Sequence, residues 1–465
     1  MGIARTNFPL DREASDGSRS PGDLPVFIHT MWRGGGTYLW SKFRECQSTL
    51  AFYEPFNETL GKASRIDMLS TTSQSWASKH PRLTAPYMAE YAPLVTARGL
   101  PFFRKEFTAA SYFLEPGASL PDAQRQYIAS LLVQARRSGK RPVLGFSRSL
   151  GRLPGLARAL DACHIALIRN PANQWLSSFR QCRDHGNDYF LVMHVMVAGQ
   201  NQHHPLLRGV AQRYGIPRLE RASFDEELDA YRAVFSRLDL EGSYRIFLAI
   251  FVAAYLEALP HSNLVIDLDA ISASAAERRR VERRIHELSG IALDLADASM
   301  PSYPLVSAAV DFAACHADVL EDVAALGDAA SRQPRGQHPA VDWAPLFVQA
   351  KLEQATSSYL KERYAGRTSG ALPGGAPGDD SERRAALLRA QLSRALLGLA
   401  AAEARLQSVM RSRSWRATAP IRGLVDLMRA TRSRWAGWLR AAWAKRRAAA
   451  RGDAEEALPS LGRMR

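Results

Sequence analysis

Cysteine is scarce and unpatterned in this chain of 465 residues: Cys46, Cys163, Cys182 and Cys315 are its four, and none stands in C-x-x-C spacing. That excludes a disulfide frame and a thiolate zinc site, and it reads as reduced thiols in a cytosolic protein. No other residues carry metal-ligand spacing. His203 and His204 are adjacent, cannot easily share one ion, and read as loop surface. The chain also lacks a glycine loop ending in Gly-Lys-Ser/Thr. A nucleoside-triphosphate P-loop needs that Lys on the phosphates and that hydroxyl on magnesium.

Long apolar runs are missing too. The longest, Ile246 to Leu259, is interrupted by Glu257 and is expected to be a core helix too short to span a bilayer. Residues 1–24 are polar, lack the apolar segment of a secretion signal, and are expected to be a disordered leader. Acidic residues are nearly absent from the tail. Between Arg411 and Arg451 twelve Lys/Arg face one acid, Asp426, so +11 of the chain's net +15 belongs to that stretch. Its partner, and not the main domain's, must account for the charge.

What is present begins at Pro25. The run Pro25-Val26-Phe27-Ile28 is rich in β-formers and reads as a buried strand. His29-Thr30-Met31-Trp32-Arg33-Gly34-Gly35-Gly36-Thr37-Tyr38 follows, and Leu39, Trp40 and Phe43 then keep helical spacing. Strand, glycine loop and helix make an anion cradle, because loop amides converge and the helix N-terminus adds partial positive charge. Arg33 adds a full charge, and Thr37 sits where its hydroxyl would cap the helix and contact the same anion. A plain strand-to-helix turn without ligand is the competing reading.

Further on, Phe52-Tyr53-Glu54-Pro55-Phe56 sets a carboxylate among aromatics, with Pro55 expected to hold Glu54 extended. Prolines break up residues 57–125, which suits an acceptor-binding lid. Strands are expected at 143–146, 164–168 and 264–268. Helices are expected at 122–138, 153–160, 188–200, 223–238, 244–259 and 275–288, and over 310–330 and 343–364. Arg148 stands at the end of the 143–146 strand. Asn170-Pro171 starts a helix that runs through Trp175 and Phe179, with Asn170 as cap. The alternation implies an α/β fold, a parallel sheet flanked by helices with its ligand beyond the strands' carboxyl ends. Domain boundaries fall at 25–330 for the main domain and 331–364 for an additional helical segment. Beyond them come a flexible linker at 365–381, a leucine-rich helix at 382–412, a basic amphipathic helix at 413–450 and a disordered end at 451–465.

Ile168-Arg169-Asn170-Pro171 with Ser177 on the following helix offers a second anion seat, a guanidinium fork plus a hydroxyl. A salt-bridged Arg169 and a surface Ser177 are the alternative. In order and combination, Arg33-Gly34-Gly35-Gly36-Thr37 and Arg169…Ser177 resemble the two nucleotide motifs of PAPS-dependent sulfotransferases, over residues 25 to about 300. The resemblance implies a P-loop-like sulfotransferase fold, 3′-phosphoadenosine-5′-phosphosulfate (PAPS) as sulfuryl donor, and no metal. Arg33, Gly34, Gly35, Gly36 and Thr37 would hold the 5′-phosphosulfate, Tyr38 would help seat the nucleotide, and Arg169 and Ser177 would hold the 3′-phosphate. Glu54, whose neighbours would raise its pKa, is the candidate base for a carbohydrate or glycolipid hydroxyl. His80 is the alternative base. Arg148 is a candidate for sulfate or acceptor contact, with a structural role as the rival.

Ser412-Arg413-Ser414-Trp415-Arg416-Ala417-Thr418-Ala419-Pro420 resembles a signature of bacterial surface-polysaccharide glycosyltransferase tails. The Trp-bearing basic helix after it suits an anionic membrane surface. Nucleic acid is set aside, since no stacking platform accompanies the charge. The 382–412 helix is a candidate for self-association or a protein partner. These features point to a cytoplasmic enzyme peripheral at the inner membrane. A nucleotide kinase and a non-catalytic scaffolding member of a polysaccharide assembly complex are the rival classes.

Overall fold

The computed structural model describes residues 24–72, 83, 85–97, 99–221, 223–331 and 344–368. The expectations for the leader, for His80 and for 369–465 lie outside them. The chain runs β1 (Val26–His29), α1 (Gly36–Arg44), β2 (Thr49–Tyr53), α2 (Arg65–Ser70), α3 (Asp122–Arg137), β3 (Arg141–Phe146), α4 (Leu153–Ala159), β4 (Cys163–Ile168) and α5 (Pro171–His185). It continues through α6 (Tyr189–Gln200), α7 (Pro205–Arg213), α8 (Phe224–Phe235), α9 (Leu240–Ala258), β5 (Leu264–Asp267), α10 (Leu268–Ala273), α11 (Ala275–Ser289), α12 (Phe312–Ser331) and α13 (Ala344–Thr368).

The five strands form one all-parallel sheet in the order β2-β3-β1-β4-β5. β1 is central and wholly buried, as its unbroken apolar run requires of a strand covered on both faces. The chain steps to β3 on one side of β1 and to β4 on the other. The carboxyl end of β1 is therefore a switch point, where a crevice opens between diverging loops. One apolar core lies between the sheet and α1 and α3, and a second gathers around α6 and α9.

Several elements differ from the sequence expectation: the strand β2 and the short helix α10 are unforeseen, and two longer helices depart from it as well. α7 is unforeseen; Pro205 occupies its first turn, where a missing N–H costs nothing. α9 begins earlier, capped by the Asp239 carboxylate on the Gly242 amide, and its helical path reaches His261. Its 22 residues are long and apolar enough to cross a membrane, contrary to the expectation from the shorter run. Burial decides the matter, because 83% of its most apolar stretch is enclosed by the fold. The expected linker at 365–381 starts later, since α13 runs on to Thr368.

α13 is riveted to the sheet by one buried cation. Lys351 Nζ reaches both oxygens of Asp267 (2.7 and 2.9 Å) and Asp269 Oδ2 (2.6 Å) at the end of β5. Asp269 in turn accepts the Asn170 amide at 2.6 Å, next to Arg169. Lys351→Met should cost about 3 kcal/mol, because it strands two carboxylates whose ion-pair contacts are made by this ammonium. Chemical denaturation reads the loss, and an unchanged midpoint would count against the rivet.

Four histidines are buried and a fifth, His204, is half-buried, and all five are neutral near pH 7. Burial first, and then His164, lowers His29 well below the ordinary value; burial lowers His164 and His204 to about 4 and His194 and His316 to about 3. The unfolded chain therefore binds more protons than the native one between roughly pH 6.5 and 4, so stability falls as pH drops through that window. Each such group contributes a slope of about 1.4 kcal/mol per pH unit there. Thermal melts at pH 7 and pH 5 should separate sharply; coincident melts would refute the buried neutral set.

Candidate functional site

The β1–α1 loop is wound tightly. Arg33 and Gly35 both take left-handed backbone, at φ 60 and φ 82. Gly34 donates its amide to the Met31 carbonyl at 3.0 Å, and a Cβ on Gly34 would come within 2.2 Å of Thr30 Oγ1. Gly34 is thus required by the turn's own packing and does not offer the amide the sequence assigned to it. The Tyr38 amide is taken by the Gly35 carbonyl at 3.1 Å, so the first-turn amides of α1 left for a ligand are those of Gly36 and Thr37. Thr37 does not cap α1; Gly35 is the cap, and the Thr37 hydroxyl shares a 3.0 Å hydrogen bond with Tyr53. Tyr38 lines the cleft with its ring and donates its hydroxyl to Asp297 at 2.9 Å.

Arg33 and Arg169 meet across this loop. Arg33 Nε donates to Ser177 Oγ at 3.0 Å and its guanidinium lies 5.4 Å from the Phe190 ring centroid. Arg169 emerges from the end of β4 and donates to the Arg33 carbonyl at 3.2 Å and to the Pro301 carbonyl. Arg169 Nε is buried with no partner. Among the described residues no carboxylate forms an ion pair with either arginine, and burial lowers the pKa of both. Arg169 is buried and Arg33 half-buried. The Asp269 charge acts on Arg169 without an ion-pair contact and is itself held by Lys351, so an anion that contacts the two guanidiniums directly is favourable.

The opposite wall carries the carboxylates. Glu54 is not extended as its place before Pro55 predicts; it holds φ 44. The Glu54 amide donates to the Gly145 carbonyl at 2.7 Å, which carries the β2–β3 ladder one residue past the strand and fixes this strained conformation. Such backbone costs about 1–3 kcal/mol for a residue with a side chain. The aromatic neighbours do not wall off the carboxylate: Phe56 turns into the core, Tyr53 lines the cleft with its hydroxyl on Thr37, and it is Arg148 that meets the carboxylate. Arg148, itself fully buried, donates to Glu54 Oε2 at 2.6 Å and to Glu58 Oε2 at 2.9 Å. Tyr189 receives a third bond from Arg148 and donates to Glu58 Oε1 at 2.7 Å. Burial acts to lower the Arg148 pKa, but Tyr189, Glu58 and Glu54 outweigh it and raise it. Both Glu58 oxygens are engaged, whereas Glu54 Oε1 faces the cleft free of the clamp.

These groups share one cleft of about 680 Å³. It brings together Arg33, Gly35, Gly36, Thr37, Tyr38, Glu54, Arg148, Arg169 and Ser177 and leaves out Gly34. Glu58 and Tyr189 are site residues the sequence reading missed. Glu58 had a signal in its spacing, four residues after Glu54 and beside the same prolyl turn; Tyr189 had none, because it arrives from α6. His203 and His204 are half-buried and not loop surface, and His204 packs on Phe113 at 5.0 Å. No group of His, Cys, Asp and Glu suited to a metal ion occurs among the described residues. The cleft therefore pairs a cationic seat at the β1–α1 loop with a clamped carboxylate across from it. Comparison with family models, curated proteins and solved structures finds no match.

Proposed function

We propose that the chain is a sulfotransferase that moves a sulfuryl group from PAPS to a hydroxyl of a carbohydrate or glycolipid acceptor. The observation that carries this reading is the pair Arg33 and Arg169, a half-buried and a buried guanidinium on one cleft, neither of them in an ion pair with a carboxylate among the described residues. A ligand with two separate anionic groups fits them, and the orphaned Arg169 Nε fits a phosphate oxygen. Arg33 and the first-turn amides of α1 would hold the 5′-phosphosulfate; Arg169 and Ser177 would hold the 3′-phosphate. PAPS, when bound, supplies the sulfuryl group and leaves as the bisphosphate PAP.

The chain's own part is positioning and proton transfer. Arg33 and the α1 amides put fixed positive charge where the leaving oxygen becomes negative, without reorganisation at the moment of reaction. Glu54 Oε1 takes the proton of the acceptor hydroxyl, and Arg148 holds the carboxylate on one oxygen so that the other points into the cleft. Glu58 and Tyr189 hold Arg148 in turn.

A melting shift with PAP tests the reading. Ligand at 100 times its dissociation constant should add about 2.7 kcal/mol. A shift with ATP–Mg²⁺ and none with PAP would sink it. The tail is read as the element that brings this enzyme to an anionic membrane, where glycan precursors are handled. Removing residues 411–465 should release the protein from anionic vesicles and spare the PAP shift; unchanged partitioning would refute the membrane role.

A further inference from the structure

The cleft does not stop at Glu58. A second cavity of about 360 Å³ continues from it, sharing Glu58 and Thr59 as a common wall. It lies between the segment after β2 and the start of α8, a size within the ordinary range for small-ligand sites. Its charged lining is Glu58, Lys62, Asp67 and Asp225, three carboxylates and one ammonium. Met68, Met88 and Phe224 back it with apolar surface. Lys62 and Asp225 form an ion pair, and both side chains are mostly exposed (64% and 69%), so the pair closes nothing firmly. The two cavities thus differ in electrostatic sign. The donor end holds Arg33 and Arg169 with no ion-paired carboxylate, and the far end holds an excess of carboxylate.

Resting on the sulfotransferase reading, we infer that the second cavity holds the part of the acceptor beyond the reacting hydroxyl, and that this part is a neutral or amine-bearing saccharide. Carboxylates accept hydrogen bonds from sugar hydroxyls and amines, and the methionines and Phe224 suit the apolar face of a sugar ring. A uronate or an already sulfated unit meets like charge there and is rejected. Glu58 joins both tasks. It holds Arg148 on the reaction side and closes the wall of the second cavity on the other.

The test is calorimetric binding to the PAP-saturated full chain, with three tetrasaccharide probes: the glucosamine tetramer, the N-acetylglucosamine tetramer and tetragalacturonate. The glucosamine and N-acetylglucosamine tetramers should bind, and tetragalacturonate should bind at least about tenfold more weakly. Asp225→Lys, outside the donor cleft, should weaken the glucosamine tetramer and strengthen tetragalacturonate. The double variant Lys62→Glu/Asp225→Lys restores the lining charge and should restore the original order. Tetragalacturonate binding as well as the other two, or no tetrasaccharide binding while PAP binds, overturns the inference alone. Failure of PAP to bind overturns the sulfotransferase reading first and the inference with it.

Discussion

Glu54→Gln should lower sulfuryl transfer by about 10²–10⁴-fold, the usual worth of a positioned base, while the melting shift with PAP persists. Release of PAP from PAPS in the presence of an acceptor oligosaccharide measures the first, and calorimetry the second. The amide keeps the shape of the carboxylate and removes its capacity to take a proton. Glu58→Gln is the control that separates chemistry from support. Both Glu58 oxygens already accept a hydrogen bond, from Arg148 and from Tyr189, so Glu58 is committed to holding the clamp and is the weaker candidate for the base. Its replacement should act by loosening Arg148, with a loss below about tenfold and a lower melting point, since a hydrogen bond to a charged group contributes about 1.5–3 kcal/mol. Turnover that survives Glu54→Gln but not Glu58→Gln would transfer the base assignment to Glu58. Turnover that survives both would remove the carboxylate base from the mechanism.

The asymmetry between these two carboxylates was not legible in the sequence. Glu54 stood out because it precedes Pro55 among aromatics, but the expectations drawn from that setting, extended backbone and apolar surroundings, both failed. The backbone is left-handed because the Glu54 amide must reach the Gly145 carbonyl on a neighbouring strand. A pairing set by the sheet overrides a preference set by the next residue. The carboxylate is ion-paired because Arg148, from β3's end, is delivered beside it by the same sheet. Strand order is information that no local window holds.

The donor end was more legible, for a physical reason. A strand, a glycine turn and a helix start are contiguous in the chain, and Arg169 with Asn170 and Pro171 is a local signal too. What the local pattern could not assign was the work of each glycine. Gly34 is consumed by packing on Thr30, so an amide counted toward the anion is spent on the turn. Lys351 shows the same limit at longer range. It looks like a surface lysine on a polar helix, yet the packing that buries Val348, Leu352 and Ala355 of α13 brings that ammonium onto Asp267 and Asp269.

Arg169→Met and Arg33→Met should each weaken PAP binding by about 10²–10⁴-fold, as expected when a phosphate loses two charge-assisted hydrogen bonds of about 1.5–3 kcal/mol each. The same substitutions should change the stability of the ligand-free protein by no more than about 1 kcal/mol. The two effects separate because these guanidiniums make no ion-pair contact with a carboxylate, and Asp269, whose charge Arg169 feels, keeps its own ion pair with Lys351. Removing the charge ends a desolvation penalty, while the carbonyls of Arg33 and Pro301 lose one donor. Arg148→Met is the contrast on the same cleft. It leaves Glu54 and Glu58 without their shared cation and should cost about 3–5 kcal/mol, the range for a broken buried ion pair. A structural arginine reveals itself in the empty protein and a ligand-holding one only when the anion is present. If Arg169→Met destabilises the ligand-free chain as much as Arg148→Met does, Arg169 belongs to the scaffold and the anion seat is lost. If it leaves the melt unmoved and abolishes the response to PAP, the unpaired charge at the head of β4 is there for the phosphate.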